Sequence, residues 1–202
     1  MSTGHLCCML GKGQEEGMYT GKNQTAIRSM QWLEAALLKL LETEKYTKIT
    51  VKDICREADL SRQTFYQMFD SKDELMEYHF SNLFVGFQEG CGSLDNISCR
   101  ELSCHFFRFF YDERAFVKLL IENNMTYLLE KEFEQYLPQI ALFRHINETE
   151  AYPDYSVVYV AGALTQALIH WFERGFDPEI AQVSKLTEDI ISGRVYQEAA
   201  KQ

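Results

Sequence analysis

Arg62, Gln63, Thr64 and Tyr66 stand together in the run SRQTFYQMF, residues 61–69. Their chemistry is hydrogen bonding to planar edges and to anionic oxygen, not bond making. An arginine fork matches the O6/N7 acceptor pair of guanine, and a glutamine amide matches N6/N7 of adenine. Thr64 and Tyr66 suit phosphate oxygens or a thymine methyl. Ser61 offers a capping hydroxyl in front of them and counts with them among the candidate DNA-binding residues. Lys48 and Thr50 upstream and Lys72 downstream can hold backbone phosphates. Phe65 and Phe69, four residues apart, define the buried side of a helix. At 100° per residue Gln63 and Gln67 then point away from that side, with Thr64 and Tyr66 flanking. Arg62 lies nearer the buried side by angle, but its length and terminal position let it reach outward.

So short a reading helix needs bracing by its neighbours. The stretch ITVKDICREADLSRQTFYQMFDSKDEL, residues 49–75, predicts one helix opened by Thr50 and a second opened by Ser61, joined by the three-residue turn ADL. Asp53 favours the partial positive charge of the first turn. Val51, Ile54, Cys55 and Ala58 give the bracing helix an apolar side, and Ile54, Ala58, Leu60, Phe65 and Phe69 let the two helices pack. Ser71 and Glu74 have the spacing of a capping box that starts a longer helix. Two short helices about a tight turn make a helix-turn-helix unit. In front of it, Ile27, Met30, Leu33, Leu37, Leu40 and Leu41 recur at three-to-four spacing, the stripe of an amphipathic helix.

Beyond residue 80 the pattern stays helical. Ser98 and Glu101 repeat the capping-box signal before LSCHFFRFFYDER, and GCGSLDNI reads as a loop. Helical runs follow in RAFVKLLIENN and MTYLLEKEFEQYLPQIALFRHI, where Pro138 is expected to kink or split the second. After the break ETEAYPDY come two long helices, YSVVYVAGALTQALIHWFERG and, opened by Asp177 with Pro178 at its first position, PEIAQVSKLTEDIISGRVYQEAA. No strand pairing or repeat emerges, so the fold class is all-α, with about nine helices.

The 202 residues carry a formal charge of -10, unevenly placed. Residues 22–72 hold nine Lys/Arg against seven Asp/Glu, whereas residues 73–202 hold ten against twenty-one. An acidic body repels a polyanion, so contact with nucleic acid is confined to the front. Residues 1–21 contain five of the eleven glycines, which predicts a disordered arm, and Met18 within it offers an alternative start, so residues 1–17 need not be present in the native protein. No apolar run reaches the roughly 20 residues of a membrane span, and the front lacks a secretory signal, so the expected compartment is the cytoplasm. Six cysteines fit that compartment as reduced thiols. His5, Cys7 and Cys8, or Cys104 and His105, lack the paired spacing of a zinc site, and neither a metal nor another cofactor is expected. No GxSxG elbow, phosphate-binding glycine loop, HExxH or dinucleotide fingerprint occurs, so no catalytic residue is assigned.

The run from Ile49 to Leu75 resembles the N-terminal DNA-binding domain of the TetR family of bacterial transcriptional regulators. The resemblance is carried by Ile49-Thr50-Val51, Asp53-Ile54, Ala58, Thr64-Phe65-Tyr66, Phe69 and Lys72, and it covers about residues 24–80. It implies a homodimer that places one recognition helix per subunit in successive major grooves of a near-palindromic operator in double-stranded DNA. Two positions depart from the family pattern. Asp59 stands where the family usually has Gly in the turn, a residue type that tolerates left-handed backbone better than most. Met68 stands where the family commonly has His or Tyr, which removes one polar contact to DNA.

The resemblance divides the chain into the arm, a DNA-binding domain at 22–71 and an effector-binding and dimerisation domain at 72–202. Val157, Ala161, Leu164 and Leu168 form a helical seam, and Ile180, Val183, Thr187 and Ile190 a matching stripe. The resemblance implies that these pair with their symmetry mates as a four-helix interface, with intrachain packing the alternative. Aromatic side chains, among them Phe106, Phe110, Tyr127 and Trp171, are candidates for the walls of a small-molecule effector pocket. The function so implied is a sequence-specific regulator, a repressor modulated by its effector. An activator, or a dimeric effector-binding adaptor without its own DNA binding, is the alternative.

Overall fold

The computed structural model describes residues 24–91, 97–140 and 153–193. The expected arm, most of the GCGSLDNI loop and the first five residues of the ETEAYPDY break lie outside them; the last three, Pro153 to Tyr155, open a helix instead of belonging to the break. Among the described residues there are nine α-helices, one 3-10 turn and no strand. The chain divides into two compact units between His79 and Phe80.

The first unit comprises α1 (Gln24–Leu41), α2 (Val51–Glu57), α3 (Arg62–Tyr66) and the first two turns of α4 (Lys72–Cys91). Helix α1 buries Met30, Leu33, Ala36, Leu37 and Leu41. Ile27, expected in that stripe, is 40% exposed, because the apolar face turns away from it one turn into the helix. Helix α2 starts where the sequence asks for it: Asp53 N–H donates to the Thr50 hydroxyl at 3.3 Å, and Thr50 N–H donates to the Asp53 carboxylate at 3.1 Å. This reciprocal pair satisfies two donors that a helix start leaves open. At α4 only half of the expected box forms. Glu74 N–H donates to the Ser71 hydroxyl at 3.2 Å, but the Glu74 carboxylate accepts from Asp70 N–H at 2.5 Å instead of from Ser71. The division falls inside α4, after residue 71, because Leu75 and Met76 are fully buried, the Tyr78 ring meets Phe69 at 5.6 Å and His79 Nδ1 lies 2.7 Å from Glu34.

The second unit continues α4 and adds α5 (Cys99–Asp112), α6 (Arg114–Glu122), α7 (Tyr127–Tyr136), α8 (Pro153–Glu173) and α9 (Ile180–Ile191). The Ser98/Glu101 capping box forms in full. Pro138 ends α7, as expected of a residue without an N–H, and the chain tightens into a 3-10 turn over Leu137–Gln139. Helix α9 starts later than expected, with Glu179 at its cap; Asp177 and Pro178 precede it. The Pro178 carbonyl instead accepts the Trp171 indole N–H at 2.6 Å. Helix α5 packs against α9, and α7 against α8. The core between them is aromatic, with Phe106, Phe107, Phe110, Phe116 and Phe133 all buried.

Candidate nucleic-acid interface

The geometry of the reading helix begins at the turn in front of it. Asp59 adopts φ of 53°, the left-handed conformation in which Gly is the usual choice. Leu60 N–H donates back to the Cys55 carbonyl at 2.9 Å and Asp59 N–H to Arg56 at 3.4 Å, so the end of α2 is closed by a Schellman motif. This reversal sends the chain straight into Ser61. Its hydroxyl accepts from Thr64 N–H at 3.0 Å and lies 2.8 Å from the Thr64 hydroxyl, fixing the first turn of α3. Below, the Cys55 thiol donates to the Ser61 carbonyl at 3.8 Å, and burial pushes that thiol up from its ordinary range, with the positive charge of Arg62 opposing.

Phe65 and Phe69 are fully buried and anchor α3, their rings 5.8 Å apart. On the opposite side Arg62, Gln63 and Gln67 are exposed, Thr64 is half-buried and Tyr66 is 50% exposed. The five-residue helix and its cap residue Gln67 therefore present a contiguous polar face with a fork, two amides and a phenol. Lys48 and Thr50 are exposed in front of α2, although the Thr50 hydroxyl is also engaged with Asp53 at 2.5 Å. The hydrogen bonds to Thr50 hold the Asp53 carboxyl below its ordinary range, with smaller help from Arg56 and Lys52. Two expectations change here. Met68 is 5% exposed and packs inward after α3, so the substituted side chain belongs to the core and not to the reading face. Lys72 turns inward as well. Its ammonium donates to the carbonyls of Tyr46 at 2.6 Å and Ile49 at 2.9 Å and sits 4.2 Å from the Tyr46 ring centre. The Tyr46 hydroxyl completes the tie by donating to Asp73. Lys72 thus pins the segment before α2 to the start of α4. Tyr46 was invisible to pattern reading because it lies in an aperiodic connection.

In the second unit the helices enclose a cavity of about 50 Å³. Phe106 and Phe110, two of the candidates for an effector pocket, line this cavity, joined by Phe84 and Phe87 of α4 and by Phe133 and Tyr136 of α7. Tyr127 and Trp171 do not line it. Tyr127 is 60% exposed because α7 turns it outward. Trp171 is buried against Phe107, with ring centres 5.2 Å apart, and its N–H is consumed by Pro178. The expected dimer seam is corrected too. Ala161, Leu168 and Val183 are buried within the subunit, Leu164 lines the cavity, and Val157, Ile180 and Thr187 are half-buried, leaving Ile190 alone of that set exposed. The open apolar face lies beside that seam: Tyr155, Val158 and Tyr159 on α8, and Leu186, Ile190 and Ile191 on α9. The seam marked the most apolar stripe, and that stripe serves the core.

Two short helices locked by an N-terminal capping box, a left-handed turn and a buried phenylalanine pair, with a polar outer face, define a helix-turn-helix module. The description "Bacterial regulatory proteins, tetR family" matches residues 33–78, and "Transcriptional regulator C-terminal region" matches residues 99–193. With both halves matched, the chain belongs to the TetR family of bacterial regulatory proteins. It is 34% identical over 60 residues to the HTH-type dhaKLM operon transcriptional activator DhaS of Lactococcus lactis subsp. lactis (strain IL1403), covering 30% of this chain and 32% of that protein. The chain thus matches about a third of that relative's length. A TetR transcriptional regulator from Streptococcus agalactiae 2603V shares the fold at a TM-score of 0.66 and 20% identity, over 84% of this chain and 97% of the other. The structure of a dihydroxyacetone kinase operon activator DhaS aligns at a TM-score of 0.50 and 22% identity, over 85% and 96%.

Proposed function

We propose that the protein is a sequence-specific DNA-binding transcriptional regulator, acting as a homodimer on a near-palindromic operator, with a small-molecule effector held in its second unit. The observation that carries this reading is the outward face of α3, where Arg62, Gln63, Gln67 and Tyr66 are exposed on a helix whose other side is anchored by two fully buried rings. Arg62 and Gln63 read base edges; Ser61, Thr64, Tyr66, Lys48 and Thr50 hold the backbone. Lys72 is a positioning residue that reaches DNA only through the segment it fixes.

Dimerisation uses the open faces of α8 and α9, where Tyr155, Val158, Tyr159, Leu186 and Ile190 would otherwise leave an apolar surface in water. Effector occupancy of the cavity displaces Phe84 and Phe87 on α4, whose first turns belong to the reading unit. An effector shifts operator affinity only to the extent that it favours one arrangement over the other. Repression requires nothing beyond occupancy of the operator. Activation is the second reading, favoured by the named role of the Lactococcus relative. Both share the same DNA contacts.

Selection of bound duplexes from a random pool tests the reading. Enrichment of a two-half-site sequence with half-sites about one helical turn apart is expected. A pool that stays unenriched, with or without candidate effectors, would leave the adaptor reading in its place.

A further inference from the structure

Resting on the reading of the second unit as an effector domain, we propose that its cavity takes an uncharged, mainly apolar small molecule and rejects the corresponding carboxylate. The described residues that line it carry no formal charge. One wall is flat, formed by Phe84 and Tyr136 stacked at 4.4 Å with planes 9° apart. Beside it Phe110 and Phe133 meet edge to face at 5.7 Å and 82°. Such walls give a hydrocarbon chain or a single ring close van der Waals contact on several sides.

The polar groups at the cavity are few and neutral. Ser103 contributes a hydroxyl from a buried position on α5, and Tyr136 a phenol. Burial, and then the nearby Glu132 carboxylate, push that phenol up, so it stays protonated across the physiological range. Two hydroxyls suit one alcohol or carbonyl oxygen on the ligand. They cannot neutralise a carboxylate, and among the described residues no lysine, arginine or histidine lines the wall to do so. The cavity is small, several times the roughly 10–15 Å³ that one water occupies. Ile191, which lines it, is 37% exposed and marks the side from which a longer tail would emerge.

Matched probes test this on the full chain without DNA: benzyl alcohol against benzoate, and 1-hexanol against hexanoate, by calorimetry and by the shift of Tm at pH 7.5. The alcohols should bind at least tenfold more tightly than their acids. Leu164→Phe and Cys99→Phe, both at half-buried lining positions, should cut alcohol binding at least tenfold while leaving the unliganded Tm near that of the parent. Three results overturn the proposal: acids that bind as well as alcohols, alcohols that fail to bind up to their solubility, or folded Phe variants that bind like the parent. Because DNA is absent, a protein that binds these probes yet selects no duplex sinks only the DNA reading. One that selects a duplex yet binds no probe sinks only the cavity assignment.

Discussion

Asp59 is where a single residue departs most visibly from what its backbone wants. A φ of 53° costs a side chain energy that Gly avoids, although Asp tolerates it better than most. Asp59→Gly is expected to stabilise the protein by about 0.5–1 kcal/mol, the relief of strain exceeding the extra freedom of the unfolded chain. Chemical denaturation should detect this with operator affinity unchanged. The capping carboxylates make a second prediction at this scale. Thr50 and Ser98 hold Asp53 and Glu101 below their ordinary values of 3.8 and 4.5. A depressed folded value means that the stabilisation is complete above those values and is lost as pH falls through the folded ones. Tm should therefore fall below about pH 4, and Glu101→Gln should flatten part of that fall. Cys91, pushed up to about 11 by burial, should react with iodoacetamide far more slowly at pH 8 in the folded protein than after denaturation. The caps were legible in the sequence because their donors and acceptors sit three residues apart. The inward turn of Lys72 was not, since its partners lie 23 and 26 residues away.

Helix α8 explains why some elements could be placed from sequence and their faces could not. YSVVYVAGALTQALIHWFE is apolar on nearly every side, so period alone finds a helix without saying which stripe meets the core. The stripe at Ala161, Thr165 and Leu168 is buried, and the one at Tyr155 and Tyr159 is open. The two stripes predict opposite failures. Tyr159→Glu, at a position 76% exposed, should shift the protein from dimer to monomer in sedimentation without lowering monomer stability by more than a few tenths of a kcal/mol. Ala161→Leu, at a position with no exposure, should cost about 1–3 kcal/mol through overpacking. If Tyr159→Glu remains dimeric, the interface lies elsewhere. Helices α2 and α3 were easier, because each has one clear apolar side and a residue that starts it.

For the molecule as a whole, charge and architecture tell one story. The reading unit is near balance while the remainder is strongly acidic, so only the front tolerates a phosphate backbone. The change in charge between the front and the rest of the chain was legible, and the family resemblance drew a boundary after residue 71. The division inside α4 was not legible, because a continuous helix leaves no break in the pattern. The cavity was half legible: aromatic residues announced themselves, but only packing separates Phe106 and Phe110 on its wall from Trp171 in the core.

Everything rests on α3 reading base edges. The most direct measurement is a salt titration of binding to the selected duplex, comparing the parent with the Arg62→Ala/Gln63→Ala double variant and with a scrambled duplex. Each lost bidentate contact should cost about 1–3 kcal/mol, bringing the variant's affinity for the selected duplex close to that of the parent for scrambled DNA. The salt slope should persist, because the phosphate contacts remain. A folded double variant that still prefers the selected duplex as strongly as the parent would contradict the account.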